Sequence, residues 1–304
     1  MVDPMNGTLK VRLNKHPILL DGGLATTLEA RGHDLSSDLW SAAILTEKPD
    51  EIIAVHRAFI DAGSEIITTS SYQASYLGFS IAGFTHDETT HILRSSVLLA
   101  REAAVADGVL VAASVGPYGA VLANGAEYRG RYGISPKALR TFHRERLKVL
   151  VGAGADLVAF ETMPDLDEVQ ILMDLMAADH SETPYWVAFS CKDETTTNAG
   201  QNFAEVVRLV SANDACIAVG VNCSSPRFVT SLLQSAAKAR GEKPFIVYPN
   251  AGRTWDAPTR RWLDRGTDHF AASTVREWVT NGARLIGGCC GIGPTGIATL
   301  RKAL

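Results

Sequence analysis

Short continuous apolar runs recur along the chain, each bounded by Gly, Pro, Asn or Asp: "PILLDGG", "SEIITTSSY", "VLVAASVGPYG", "DLVAFETMP", "YWVAFSCKD", "CIAVGVNCSSP", "PFIVYPNAG" and "RLIGGCC". Runs of Val, Ile, Leu and Ala without polar alternation are the pattern of parallel strands covered on both faces. Helical periodicity lies between them. In "TEKPDEIIAVHRAFIDAG", Ile52, Val55, His56 and Phe59 share a face, with Pro49 near the start and Gly63 at the stop. "DLDEVQILMDLMAADH" puts Leu166, Val169, Met173 and Met176 together, and "PTGIATLRKAL" supplies a closing helix. The joints "DAGSEII", "GAGADLV" and "NGARLI" repeat a helix-ending Gly before the next strand. Eight such strand–helix repeats predict an α/β fold, a (β/α)8 TIM barrel rather than an open doubly wound sheet, as a single domain over residues 1–304. The stretch "NGAEYRGRYGISPKALRTFHRERLKVLVGAG" predicts an elaborated loop before its helix.

The composition fits this fold and narrows the partners. Hydrophobic residues are 46% and charged residues 20% of 304, enough for a large core. A net charge of −4 gives no electrostatic reason for nucleic acid or an anionic membrane as partner. No signal-peptide pattern or long apolar span is seen. Five cysteines, an odd number in a chain of this size, argue against a disulfide framework and for a reducing compartment, with cytoplasm as the default.

Chemistry in a (β/α)8 barrel gathers where strands end and βα loops begin. Those positions hold Asp21, Thr68 and Thr69, Glu161, Cys191 and Lys192, Asn222 and Cys223, Asn250, and Cys289 with Cys290. Three cysteines on two strand ends suggest a metal: zinc takes thiolates readily, and three protein ligands with an open fourth position mark a catalytic site. Strands six and eight share parity, which makes convergence of Cys223 with the pair plausible. In a regular strand Cys289 and Cys290 would point to opposite faces, so the strand must end first, and Gly287, Gly288 and Gly291 permit that. The competing reading is three buried small apolar side chains. That blander reading is preferred for Cys216, at a strand start, and for Cys191.

Other signals weigh less. "GIGPTG" matches a dinucleotide fingerprint literally, but only eight residues follow Gly296, too few for the second strand and acidic residue it needs. A phosphate site in that loop stays open. Lys192 as a Schiff-base nucleophile competes with an ordinary solvated lysine between polar neighbours. Asp21 and Glu161 are either helix caps or groups that recognise a substrate ammonium or act as a base. No histidine stands at a strand end, which disfavours a His-based zinc site.

The segments "DGGLATTLEARGHDL", "GVNCSSP" and "GGCCGIGP", with "SYQAS", "GPYGA", "EYRG", "FETMP" and "YPNAG", together resemble the homocysteine S-methyltransferase family, from about Asp21 to Pro294. The resemblance implies a TIM barrel and a zinc ion on Cys223, Cys289 and Cys290. It implies methyl transfer from a sulfonium donor, S-methylmethionine or S-adenosylmethionine, to the thiol of L-homocysteine, forming methionine. Asp21 and Glu161 match the family's homocysteine-binding acids, and Thr69 and the backbone of Gly22 would assist. Asn222, beside the cysteine, and Trp40, after the first βα loop, complete the expected substrate contacts. Trp40, Tyr72 and Tyr118 are the aromatic candidates for holding a sulfonium by cation–π attraction. "VYPNAG" and the 14 residues after Cys290 look more like the S-methylmethionine-using branch than the betaine-using one, whereas Arg253 and "GIGP" depart from that branch. Betaine-dependent or selenocysteine methyl transfer are the alternatives within the family. Outside it stand a zinc-dependent hydrolase and a zinc-stabilised binding protein, the latter needing Cys191 as fourth ligand. The chain is expected to act as a monomer or small homo-oligomer on small molecules.

Overall fold

A computed structural model describes residues 9, 12–13, 15–35, 41–105, 108–252, 255–256, 261–262 and 266–304. Trp40 and Arg253 lie outside the described residues. Eight strands form one parallel sheet: β1 (Ile18–Leu19), β2 (Ile66–Thr68), β3 (Leu110–Val115), β4 (Leu157–Met163), β5 (Tyr185–Phe189), β6 (Cys216–Asn222), β7 (Phe245–Tyr248) and β8 (Ala283–Ile286). Sequence neighbours pair throughout, β8 returns to β1 through Ile18↔Leu285, and a bridge Leu20↔Ile66 joins β1 to β2, so the sheet closes into a (β/α)8 barrel. Closure leaves no free strand edge among these eight, and the period of two sorts their side chains into two layers. One layer fills the barrel, including Ile18, Leu20, Ile66, Trp186, Ile246 and Leu285. The other packs outward under the helices, including Ile67, Val111, Phe160, Val187, Phe189 and Val247.

The connecting helices start and stop where capping chemistry dictates. Pro49–Ala62 opens on its proline and stops at Gly63, whose φ of 113° is the left-handed conformation that ends a helix. His86–Ala104 begins with a complete capping box between Thr85 and Glu88. In Leu166–Asp179 the buried stripe runs Leu166, Val169, Leu172, Leu175 and Met176, while Met173, expected on that face, is only half-buried. The stripe runs in steps of three from Leu166 to Leu175, which at about 100° per residue turns its centre away from Met173. The long β3–β4 connection carries the elaboration its length predicts: a short helix Tyr118–Val121, a 3-10 turn Ala126–Tyr128, then the helix Pro136–Gly152. A short antiparallel pair, Trp255–Asp256 with Arg261–Trp262, stands apart from the barrel sheet.

Backbone crowding inside the barrel yields a contrast between two glycines. A Cβ on Gly220 of β6 would sit 1.9 Å from the carbonyl oxygen of Ile246 on β7, so the adjoining strand would have to move. Gly152, at the end of its helix, has nothing within 4 Å of that position. Gly220→Ala should therefore cost at least about 1–3 kcal/mol by overpacking, whereas Gly152→Ala should stabilise by about 0.4–1 kcal/mol. Denaturant unfolding of the two variants checks this, and equal midpoints would contradict it.

Candidate active site

Strand β8 ends at Ile286, three residues before the first cysteine of the pair. The two cysteines are thus freed from strand alternation, and they lie on a turn closed by Ile292 N–H donating to the Cys289 carbonyl at 3.0 Å. Cys223 likewise stands one residue past β6, with φ of 45° in the left-handed region that L residues seldom occupy. Matching strand parity is therefore not what brings the three together: the loops do it, on a common rack of backbone.

That rack is the segment Tyr248–Ala251 leaving β7, which lies between β6 and β8. Cys223 N–H donates to the Tyr248 carbonyl (3.2 Å), Cys289 N–H to Pro249 (2.9 Å), and Ala251 N–H to the Cys290 carbonyl (2.9 Å). The loop after β1 supports the other side. Gly288 N–H donates to the Asp21 carbonyl (3.1 Å) and Gly23 N–H to that of Ile292 (2.9 Å). This contact needs glycine, because a Cβ on Gly22 would lie 2.2 Å from the Ile292 carbonyl oxygen. "DGG", "YPNAG" and "GGCCGIG" are three strips of one backbone assembly.

Its product is a cluster of sulfurs. Sγ of Cys289 is 2.8 Å from Sγ of Cys223, Cys223 is 3.6 Å from Cys290, and Cys289 is 4.0 Å from Cys290. Ligand sulfurs on a tetrahedral zinc with bonds near 2.3 Å would be about 3.8 Å apart. Two of the three separations are close to that value and the third needs a small side-chain adjustment. All three atoms lie within 4.8 Å of one another, an arrangement able to hold a metal ion, and no other group of His, Cys, Asp or Glu among the described residues does so. Hydrogen bonds from Cys289 and Cys290 hold the Cys223 thiol well below its ordinary pKa, and the same bonds to Cys223, with burial adding, push both partners up.

Cys191 is outside this cluster. Its thiol is pushed upward by burial, and its N–H donates to Ser224 Oγ at 2.8 Å. Cys216 is buried at the start of β6, and its Sγ donates to the Ala218 carbonyl. Lys192 is exposed in a turn. Gly296 of "GIGPTG" lets the last helix approach the chain, since a Cβ there would lie 2.3 Å from the Asp268 carbonyl oxygen.

Around the sulfurs stand buried carboxyl groups. Asp21 accepts from Thr68 N–H (2.7 Å) and Thr68 Oγ1 (3.1 Å), yet burial, with the Glu161 charge adding, raises its pKa to about 8. Glu161 accepts from Ser114 Oγ and from the Tyr248 hydroxyl, and burial still raises it to about 7. Tyr248 is fixed in turn by Trp186 Nε1, which donates to its oxygen at 3.0 Å inside the barrel. Thr69 is spoken for as a donor. Ser71 Oγ donates to the Ser114 carbonyl (2.8 Å), so the 2.6 Å contact between the hydroxyls has Thr69 donating, while Ser114 N–H donates to Thr69 Oγ1 (3.0 Å).

Asn222 has both ends of its amide engaged by one residue: Oδ1 accepts from Thr162 N–H (2.7 Å), and Nδ2 donates to Thr162 Oγ1 (2.9 Å). Thr162 has φ of 58°, and its hydroxyl also bonds the Tyr72 side chain. Asn222 therefore pins a strained irregularity near the end of β4, whose Thr162 side chain holds Tyr72. Tyr118 faces elsewhere, its ring 5.4 Å from Tyr132 and 5.0 Å from Phe142. Sequence reasoning about single residues passed over Tyr128, whose hydroxyl is 3.5 Å from Cys223 Sγ, and its neighbour Glu127, which is 2% exposed. Both sit in "EYRG", a polar segment without periodicity; the one usable signal was an aromatic residue within a loop over the barrel mouth.

The fold and the cluster define a barrel enzyme with a three-cysteine centre at the carboxyl ends of its strands. The family model for homocysteine S-methyltransferase matches residues 18–304. "Homocysteine S-methyltransferase 4" of Zea mays is 42% identical over 94% of this chain and 89% of its own. "Selenocysteine Se-methyltransferase" of Brassica oleracea var. italica is 39% identical over 94% of this chain and 88% of its own. The metallated crystal structure of the homocysteine methyltransferase MmuM from Escherichia coli superposes with a TM-score of 0.87 at 38% identity, covering 97% of this chain and 99% of that one. The chain belongs to the homocysteine S-methyltransferase family.

Asn222→Ala should leave the Thr162 N–H of β4 buried without its partner and cost about 1–3 kcal/mol of stability. Thermal unfolding checks this, and an unchanged midpoint would show that the amide is not a strut.

Proposed function

We propose that this protein transfers a methyl group from a sulfonium donor, S-methylmethionine foremost, to the thiol of L-homocysteine, with zinc held by Cys223, Cys289 and Cys290. The observation that carries this is the convergence of three sulfurs, with no fourth protein ligand among the described residues, beside two buried acids. Zinc at these sulfurs would supply an open fourth position where a substrate thiol is bound and readily loses its proton. The chain's own residues do the rest. Asp21 and Glu161 receive the acceptor's ammonium, with the Gly22 backbone and the free lone pair of Thr69 alongside. Asn222 acts through Thr162 on Tyr72, and Trp40 is assigned to the donor side.

In the transfer, the bond from the methyl carbon to the sulfonium sulfur breaks and its electron pair stays on that sulfur, now a neutral thioether. The acceptor sulfur, its proton already released, supplies the pair for the new bond. No acid is needed for the leaving group, so the protein's tasks are alignment of two sulfurs and exclusion of water. The five free cysteines suit a reducing compartment, and we assign the protein to the cytoplasm. Among the described residues, no helix is long and apolar enough to cross a membrane. Likeness to a selenocysteine methyltransferase supports a second acceptor, since a selenol presents the same head group and a softer nucleophile. The hydrolase reading loses ground: it would prefer His or carboxylate ligands, and the cluster holds thiols only.

Methionine formation from homocysteine should be seen with S-methylmethionine, weaker with S-adenosylmethionine and weakest with betaine. Cys289→Ala should lower it by more than about a hundredfold, exceeding the usual loss from a residue that merely supports a metal ligand. Zinc retained with no methyl transfer from any donor would contradict the reading.

A pH effect follows from the raised acids. Asp21 and Glu161 ionise in the folded protein only near pH 8 and 7, above their ordinary 3.8 and 4.5, so they weaken the ligand-free fold as pH rises through that window. A bound ammonium offsets this only when they are charged. L-Methionine, which has the ammonium but no ionisable thiol, should raise Tm more at pH 8 than at pH 6. Asp21→Asn should flatten that difference, and an equal or inverted pH dependence in the wild type would contradict the assignment.

A further inference from the structure

Glu127 is a carboxyl group with no evident task in the fold. It sits in the 3-10 turn Ala126–Tyr128, just after Gly125, whose φ of 77° turns the chain back over the barrel mouth. Its N–H is wedged against Gly119, where a Cβ would approach within 2.5 Å, so the turn has little room to shift. The side chain is 2% exposed and its Oε2 is buried without a hydrogen-bond partner, while the carboxyl accepts from its own backbone N–H and feels the charge of Arg129. The next residue, Tyr128, reaches Cys223 Sγ at 3.5 Å, so the turn that carries Glu127 also touches the sulfur cluster. Its charge bears on Cys223, Tyr72 and Tyr128.

A buried carboxylate with one oxygen left unpaired beside a cluster of sulfurs is costly for the fold until a cation arrives. Asp21 and Glu161 already have hydrogen-bond donors and lie on the other strands' ends, where the acceptor's ammonium is assigned. The second substrate of a methyl transfer from sulfur brings its own positive charge, and must present it close to the acceptor sulfur.

Resting on the methyl-transfer reading above, we infer that Glu127, with the faces of Tyr72 and Tyr128, forms the recognition site for the positive charge of the sulfonium donor. A carboxylate there distinguishes a sulfonium from the neutral thioether that remains once the methyl has left: attraction is present before transfer and gone afterwards, which favours product release. Because the charge is disappearing in the transition state, the carboxylate serves donor binding more than the rate at saturation. A neutral methyl source would gain nothing from it.

The test is calorimetric binding of S-methylmethionine and, separately, of homocysteine to the zinc-loaded full chain, as wild type, Glu127→Gln and Glu127→Asp. Metal content and Tm are measured alongside, and KM for each substrate in the assay. Glu127→Gln should weaken S-methylmethionine binding by roughly ten- to a hundredfold, the size of a lost hydrogen bond to a charged group, and raise its KM accordingly. Homocysteine binding should stay within about twofold. Glu127→Asp, which keeps the charge, should recover part of the loss. An unchanged donor affinity in Glu127→Gln overturns the inference, as does a loss confined to homocysteine. Equal loss for both substrates together with lost zinc or a lowered Tm also overturns it, by making Glu127 structural. Wild type that neither binds nor uses S-methylmethionine would fail before any variant is compared, and would overturn the functional reading along with this one.

Discussion

Three sulfur atoms held within 4.8 Å of one another are the constraint around which the barrel mouth is arranged. Cysteines that close cannot all be charged without a cation and cannot all point inward from regular strands. The chain meets the geometric demand by ending β6 and β8 early and hanging both loops on the backbone that leaves β7. Glycine on the β1 loop then lets that strip approach the cysteine turn at carbonyl distance. The local cost shows in the backbone: Cys223 and Thr162 both take left-handed conformations, and Asn222 supplies the hydrogen bonds that keep Thr162 there.

The surrounding acids make sense in the same frame. Asp21, Glu161 and Glu127 are all buried and all raised, each chiefly by loss of water. A fold selected for stability alone would have paired them with arginine or lysine, as it does for Asp156 and Arg101 far from the mouth, at 2.6 Å. Leaving them without a lysine or arginine ion pair gathers unneutralised acids around the sulfurs, which suits the proposed substrates, one with an ammonium and one with a sulfonium. The buried carboxylate of Glu168 does different work: it accepts from His143, from the Tyr118 N–H and from the Tyr132 hydroxyl, and so braces the β3–β4 connection from behind.

Much of this was legible in the sequence. Eight uninterrupted apolar runs separated by helical stretches specify a barrel because buried parallel strands leave no polar face. The strand-end rule then points to Asp21, Glu161, Cys223, Cys289 and Cys290 without reference to any relative. What was not legible depends on loop conformation. The convergence of Cys223 on the pair comes from a positive φ and from the β7 extension, and neither leaves a periodic trace. Asn222 is expected among the substrate contacts from its place at a strand end, and the bonds from both ends of its amide to Thr162 leave no trace in the pattern of residues. Glu127 and Tyr128 belong to a connection whose length announced an elaboration but not which of its residues turn inward.

X-ray absorption at the zinc edge, on purified reduced protein before and after adding L-homocysteine, tests the central claim most directly. The account predicts about one zinc per chain with three sulfur neighbours near 2.3 Å and one lighter atom, becoming four sulfurs when homocysteine binds. Protein that takes up no zinc, or a zinc shell that stays unchanged when homocysteine is bound, would contradict it.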